Sequence, residues 1–252
     1  MVSITMQIYG LADLHLALGI PEKSMEIFGD PWTNYHQKIY DHWTAKVRDD
    51  DYVLLAGDIS WAMDIEDAKK DFDFLSSLPG TKIMIRGNHD YWSSASTRKL
   101  STVLAKNIRY LSQGYTVLDA NIAVVGVRLW EHPTICIDSR VFASSKNIKH
   151  KIHTEHDEKI FLREQMRLQR ALDAITDDIQ EIIVITHYPP ISSDGSSGPI
   201  SEMLERNGRV RKCLFGHLHK VQKPLQGFGC IRGIEYSLIA ADYLDFVPKV
   251  VM

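Results

Sequence analysis

The chain has 252 residues, a formal net charge of −3, 44% apolar residues and 24% charged residues. These values suit one large α/β domain, or two small ones, with ample material for a core, and no Lys/Arg block marks a nucleic-acid footprint or an anionic-membrane patch. Three cysteines without a CxxC pair exclude a disulfide framework and fit a reducing cytoplasm.

Met1 to Leu18 has no basic stretch ahead of a sustained apolar run, so neither a signal peptide nor an anchor is expected. The apolar run Met6–Ala12 predicts the first strand, ending at Asp13-Leu14-His15. Asn34 to Val47 predicts an amphipathic helix with Trp43 and Val47 on one face. Tyr52–Ala56 predicts a strand running into Gly57-Asp58. Asp64 to Leu78 carries Ile65, Ala68, Phe72 and Leu75 at helical spacing, stopped by Pro79-Gly80. Lys82–Arg86 predicts a strand leading into Gly87-Asn88-His89-Asp90, after which Ser93 or Ser94 caps a helix reaching about Lys106.

The runs Ile108–Leu111, Tyr115–Leu118 and Ile122–Leu129 follow one another with short turns and predict a meander. Thr154 to Thr176 is the longest predicted helix, with Ile160, Met166, Leu168, Leu172 and Ile175 along its stripe. Glu181–Thr186 predicts a strand ending at His187, and Arg211–Phe215 one ending at Gly216-His217-Leu218-His219. The Ser/Gly-rich segment 191–199 reads equally as a connector or as an active-site flap. Gly227 to Val250 is strand-rich. Strands alternating with helices, joined to a meander, indicate one α/β domain over residues 1–252, better described by a pair of sheets flanked by helices than by a doubly wound sheet.

Polar clusters close these strands, and they hold five of the eleven histidines. Ligands gather at the carboxyl ends of strands in α/β sheets, so the coincidence is informative where each motif alone is not. In an extended segment Asp13 and His15 point the same way and can share an ion; His217 and His219 repeat that logic with two imidazoles. Asp58 ends an apolar run and needs a strong partner to offset desolvation. Asn88 offers a neutral oxygen, and His187 exits toward Tyr188-Pro189-Pro190. Two Asp, one Asn and four His make seven donors, about what two divalent ions need when one carboxylate bridges them. His89 is left over with Asp90 beside it, a candidate general acid with an acidic support. Mixed O/N donors suit Mn, Fe or Zn better than Mg or Ca.

The order D-x-H, G-D, G-N-H-D, single His and G-H-x-H, from Asp13 to His219, resembles the calcineurin-like metallophosphoesterase family. The residue before the lone His is Thr186 here, where the family usually has Gly. The resemblance implies a four-layer β-sandwich of two mixed sheets flanked by helices. It also implies that Asp13, His15, Asp58 and His219 hold one metal. Asp58 as bridge, with Asn88, His187 and His217, would then hold the other, and His89 would act as general acid with Asp90 as its partner. The phrases Ile59-Ser60-Trp61-Ala62-Met63 and Asp90-Tyr91-Trp92 are similar to a bacterial branch of phosphohydrolases.

The implied reaction is hydrolysis of a small or nucleotide-like phosphoester by a metal-bridging hydroxide. A diester is favoured, because no inserted cap domain is evident and an open site admits diesters. A phosphomonoesterase and a non-catalytic metal-bearing scaffold stand as alternatives, and the sequence says nothing of oligomeric state. Trp61, Tyr91, Trp92 and Trp130 read either as loop packing or as a stacking surface, and Arg86 and Arg128 as strand residues or phosphate contacts. His150, His153 and His156 share one helical face but sit among charges, which points to a solvated surface.

Overall fold

The computed structural model describes residues 6–112, 114–119, 121–142, 144 and 152–252. Among them the strands are β1 (Ile8–Leu11), β2 (Tyr52–Leu55), β3 (Thr81–Met84), β4 (Ile108–Tyr110), β5 (Tyr115–Asp119), β6 (Ile122–Val127), β7 (Glu181–Thr186), β8 (Val210–Phe215), β9 (Gly229–Ile231), β10 (Ile234–Leu238) and β11 (Lys249–Val250). The α-helices are α1 (Tyr35–Lys46), α2 (Lys69–Ser77), α3 (Thr97–Val103), α4 (Glu155–Asp173) and α5 (Pro199–Asn207). They fall into two compact units, one formed by Met1–Tyr110 with Ile239–Met252, the other by Leu111–Leu238.

The first unit is built on a five-stranded sheet in the order β11-β1-β2-β3-β4. β1 to β4 are parallel and in register, with Gly10 beside Leu54 and Leu54 beside Ile83; β11 closes the edge antiparallel to β1. Parallel strands covered on both faces read as continuous apolar runs, which is why these segments show no alternation. One face carries Tyr9, Leu11, Val53, Leu55 and Met84, packed with Tyr35, Ile39 and Trp43 of α1 and Phe72 and Leu75 of α2. Tyr35, Ile39, Trp43 and Val47 recur at four-residue intervals, so they form the stripe that seats α1. The Trp43 indole N–H donates to the Pro79 carbonyl at 3.0 Å, tying the helix to the turn that precedes β3.

The second unit holds a six-stranded sheet in the order β5-β6-β7-β8-β10-β9. β6, β7, β8 and β10 run parallel, and the edge strands β5 and β9 are antiparallel. α4 packs on β6 and α5 on β8. A capping box starts α4: the Thr154 side chain accepts the Asp157 N–H while the Asp157 carboxylate accepts the Thr154 N–H.

Two mixed sheets with flanking helices are what the resemblance implied, and the departures are local. The meander is shorter than expected, because Ile108–Tyr110 pairs with β3 in the first unit and only β5 and β6 form the antiparallel pair. A three-residue strand with an exposed arginine at its centre does not say which strand it will join. α2 begins at Lys69, with Asp64–Ala68 forming turns instead. Tyr91–Ser94 is a 3₁₀ turn, and α3 is capped by Ser96, whose hydroxyl accepts the Lys99 N–H, rather than by Ser93 or Ser94. Met166 is exposed, leaving Phe161 and Ala171 to fill the buried face of α4. α5 was not foreseen; the segment 191–199 leads straight into it, with Gly198 before the helix and Pro199 at its first turn.

Candidate functional site

The first unit gathers its polar residues where β1, β2 and β3 end. After Leu11 the chain does not stay extended: Asp13 and His15 adopt φ of 57° and 47°, and Asp58 one of 52°. The shared direction of Asp13 and His15 therefore comes from left-handed backbone turns, not from strand alternation as the sequence suggested. These turns hold because the two loops are zipped together. The Asp13 N–H donates to the Gly57 carbonyl at 2.9 Å, and the His15 N–H to the Asp58 carbonyl at 3.0 Å. Left-handed backbone at non-glycine residues carries strain, and it concentrates at functional sites.

Asp13 and Asp58 are both buried, and each brings a carboxylate oxygen within 4.8 Å of the other's. His15 offers a ring nitrogen to the same cluster, with Nε2 at 3.7 Å from Asp58 Oδ2. Asp58 Oδ1 also accepts the His89 backbone N–H at 2.9 Å. A Cβ built on Gly87 would lie 2.0 Å from Asp58 Oδ1, so glycine at this position makes room for the carboxylate. Two carboxylates and an imidazole, packed together and out of water, match the donor set of a divalent cation, whose charge offsets the desolvation of the acids.

Aromatic groups hold the imidazoles in place. The Trp61 indole stacks on His15 with ring centres 4.9 Å apart and lies against His89 at 4.3 Å; Trp32 meets His15 edge-on at 5.9 Å. The Tyr35 hydroxyl donates to the His15 carbonyl at 2.8 Å. Trp61 was readable in the sequence only as one of several aromatics near a metal motif. Its contact with both histidines depends on the loop turning back after Asp58.

Asp90 corrects the sequence reading. Its Oδ1 accepts from the backbone N–H groups of Ile59 and Ser60 and from the Trp92 indole, and its Oδ2 accepts from the Gly87 N–H. Among the described residues none of its hydrogen-bond donors is the His89 imidazole. Burial away from water, followed by the charge of Asp58, pushes the Asp90 carboxyl well above the usual carboxylate range. Asp90 thus brackets the loops after β2 and β3. Adjacent residues at a tight turn diverge, which motif order alone does not reveal.

In the second unit, His187 follows β7 and is fully buried, while His217 and His219 follow β8 with Leu218 turned inward between them. His217 has φ of 71°, and the His187 and His217 rings lie 5.1 Å apart at 73°. The backbone N–H groups of His187 and Tyr188 both donate to the Arg128 carbonyl at 3.1 Å, fixing the exit from β7 to the end of β6. Tyr188 packs against His217 at 4.1 Å, and Glu131 Oε1 stands 3.8 Å from His217 Nε2. Arg128 lies over the Trp130 ring at 4.5 Å. Glu131 was missed by sequence reasoning; its one signal was its place just past β6, on the edge where β7 and β8 deliver their histidines. The first residues of the 191–199 segment are pinned, since the Ser192 hydroxyl accepts the Cys136 N–H and the Ser193 hydroxyl donates to Asp138.

Carboxylate and imidazole groups gathered at strand ends form candidate metal-binding clusters. A family-wide sequence comparison matches residues 6–221 to the calcineurin-like phosphoesterases, and the chain belongs to that family. No curated protein sequence matches it. Among solved structures, the phosphopantetheinyl hydrolase of Mycobacterium tuberculosis is similar, with a TM-score of 0.55 at 11% identity, over 98% of this chain and 95% of that one. A protein of unknown function from Aquifex aeolicus has a TM-score of 0.49 at 15% identity, over 98% and 96% of the two chains. At 11% identity the likeness to the hydrolase is one of fold. Among the described residues no helix is long and apolar enough to cross a membrane.

Proposed function

We propose that the protein is a two-metal phosphoesterase acting on a phosphate diester of a small, nucleotide-like molecule. The observation that carries this reading is the buried cradle of Asp13, His15 and Asp58, set in the family's motif order. Asp13, His15, Asp58 and His219 hold one ion in this reading, and Asp58, Asn88, His187 and His217 hold the other. Mixed nitrogen and oxygen donors favour Mn, Fe or Zn. Such a pair, when bound, supplies a nucleophile at neutral pH and neutralises phosphoryl charge.

The chain's own groups do the rest. His89 keeps a proton on its imidazole for the departing oxygen, and Trp61 against the ring limits its orientation. The bond from the His89 N–H to Asp58 ties the acid's backbone to the cradle, so acid and cradle keep one spacing. A buried Cys213 and exposed Cys136 and Cys230, all free thiols, support a reducing compartment.

Assay of purified, Mn-loaded protein on bis-p-nitrophenyl phosphate and p-nitrophenyl phosphate tests the proposal. Higher kcat/KM on the diester is expected; the reverse ratio makes it a phosphomonoesterase, and inactivity on both makes it a binding scaffold. His89→Ala should retain its metal and lose about 10²- to 10⁴-fold in turnover of an alkyl ester with a poor leaving group. A variant as fast as wild type on that ester removes His89 from the acid role.

A further inference from the structure

His132, His153 and Glu158 in the second unit form a cluster that shares no residue with the seven donors above. Each offers one ligand atom, and the three atoms lie within 4.8 Å of one another. Glu158 Oε2 stands 3.2 Å from His132 Nε2 and 2.9 Å from His153 Nε2. A tetrahedral ion with bonds of about 2.0–2.1 Å holds its ligands about 3.3 Å apart, so little movement separates this arrangement from a coordination shell.

The three side chains come from separate pieces of chain and each is held. His132, in the loop after β6, stacks flat on Phe161 of α4, with ring centres 4.1 Å apart and planes at 23°. Trp130, two residues earlier, donates its indole N–H to Asp157 at 2.9 Å, so the loop is fastened to α4 at a second point. His153 stands just before the capping residue Thr154, and Glu158 lies in the first turn of α4. The side chains keep 14%, 21% and 41% of their exposure, which leaves a solvent-facing side for a water ligand.

The outer contacts also suit an ion. His132 Nδ1 is 2.7 Å from the Thr134 hydroxyl and accepts the Thr134 backbone N–H at 3.3 Å, so the turn at Thr134 fixes the ring with Nε2 facing Glu158. The N-terminus of α4 opposes a cation, but Glu155 and Asp157 lie in the same turn and offset it.

We infer that His132, His153 and Glu158 form a mononuclear binding site for a zinc-class divalent cation, separate from the paired-metal ligands. Two imidazoles and one carboxylate are a ligand set that zinc accepts in tetrahedral geometry with water in the fourth position. An ion there would staple the loop after β6 to the start of α4. That loop carries Glu131, which faces His217.

The test is a zinc titration of chelator-stripped protein against a chromophoric competitor. It uses an Asp58→Asn/His217→Ala background, in which paired-metal binding is disabled whether or not the proposed reaction is correct. One zinc per chain is expected in that background, with a rise in Tm on zinc addition. Adding His153→Gln should abolish both, and Thr134→Ala should weaken binding about 10- to 100-fold. His153 is partly exposed, so circular dichroism should show His153→Gln folded. No zinc in the background protein, or zinc retained after both His153→Gln and His132→Ala, overturns the site.

Discussion

The motif-bearing strand ends of the two units are built on opposite plans. In the first unit two carboxylates and an imidazole are buried on strained loops, braced by Asp90, by Gly87 and by a stack of aromatic rings. In the second, three imidazoles stand at strand ends; His217 and His219 are partly exposed, with Tyr188 and Glu131 beside His217. Desolvated carboxylates repel one another and need a rigid frame, whereas the His217 and His219 imidazoles keep part of their contact with water. The difference teaches that the anionic half is integral to the fold of its unit, while the imidazole half is carried on it. Substitutions should then separate stability from metal binding differently in the two places.

The largest effect should come from Gly87→Ala, which thrusts a methyl group onto the Asp58 carboxylate and the backbone behind it. We expect about 3 kcal/mol of lost stability by urea unfolding, the upper end for overpacking, together with loss of bound metal by elemental analysis. A stable, metal-replete variant would contradict the account of the cradle.

Asp90→Asn comes next. It removes a charged acceptor serving three backbone N–H groups and one indole, and it places an amide against donors. A loss of about 2–3 kcal/mol is expected, with weaker metal binding. The dependence of rate on leaving group should be unchanged, because Asp90 does not orient the His89 imidazole. A steeper dependence would restore Asp90 as partner of the acid.

Asp71 sharpens the comparison within the first unit, away from the ligands. Burial pushes its carboxyl up to about 6 against lowering hydrogen bonds from the Ser60 hydroxyl and the Leu18 N–H. A folded-state pKa above the unfolded value means that the folded protein binds this proton more tightly. Ionising Asp71 therefore costs stability as pH rises from about 4 through 6. Between pH 7 and pH 4, acidification should stabilise wild type relative to Asp71→Asn by on the order of 1–2 kcal/mol, read from paired melting curves. A constant difference between the two proteins across that range refutes the assignment.

His217→Ala should have the smallest effect on the fold, within about 0.5 kcal/mol, because its ring is partly exposed. Its metal content should fall all the same. Should this variant unfold like Gly87→Ala, the contrast between the halves is lost.

The metal-binding residue types and their positions at strand ends were legible in the sequence, because a buried parallel strand announces itself as an unbroken apolar run and the polar cluster after it is conspicuous. β2, β6, β7 and β8 were located to within a residue or so on that signal. α5 escaped because nine residues in the shadow of a Ser/Gly-rich stretch look like more loop. The pairing of Ile108–Tyr110 escaped because strand partners are chosen by long-range contact.

What the amino-acid order determined by itself was the inventory: which donors exist, how many, and that each follows a strand. What only tertiary structure decided was direction. The left-handed turns at Asp13, His15 and Asp58, the capture of Asp90 by backbone amides, and the meeting of His132 with His153 and Glu158 all depend on loops from distant strands pressing together. A side chain's aim is set by backbone angles that neighbours in space impose, and those neighbours are not adjacent in the chain.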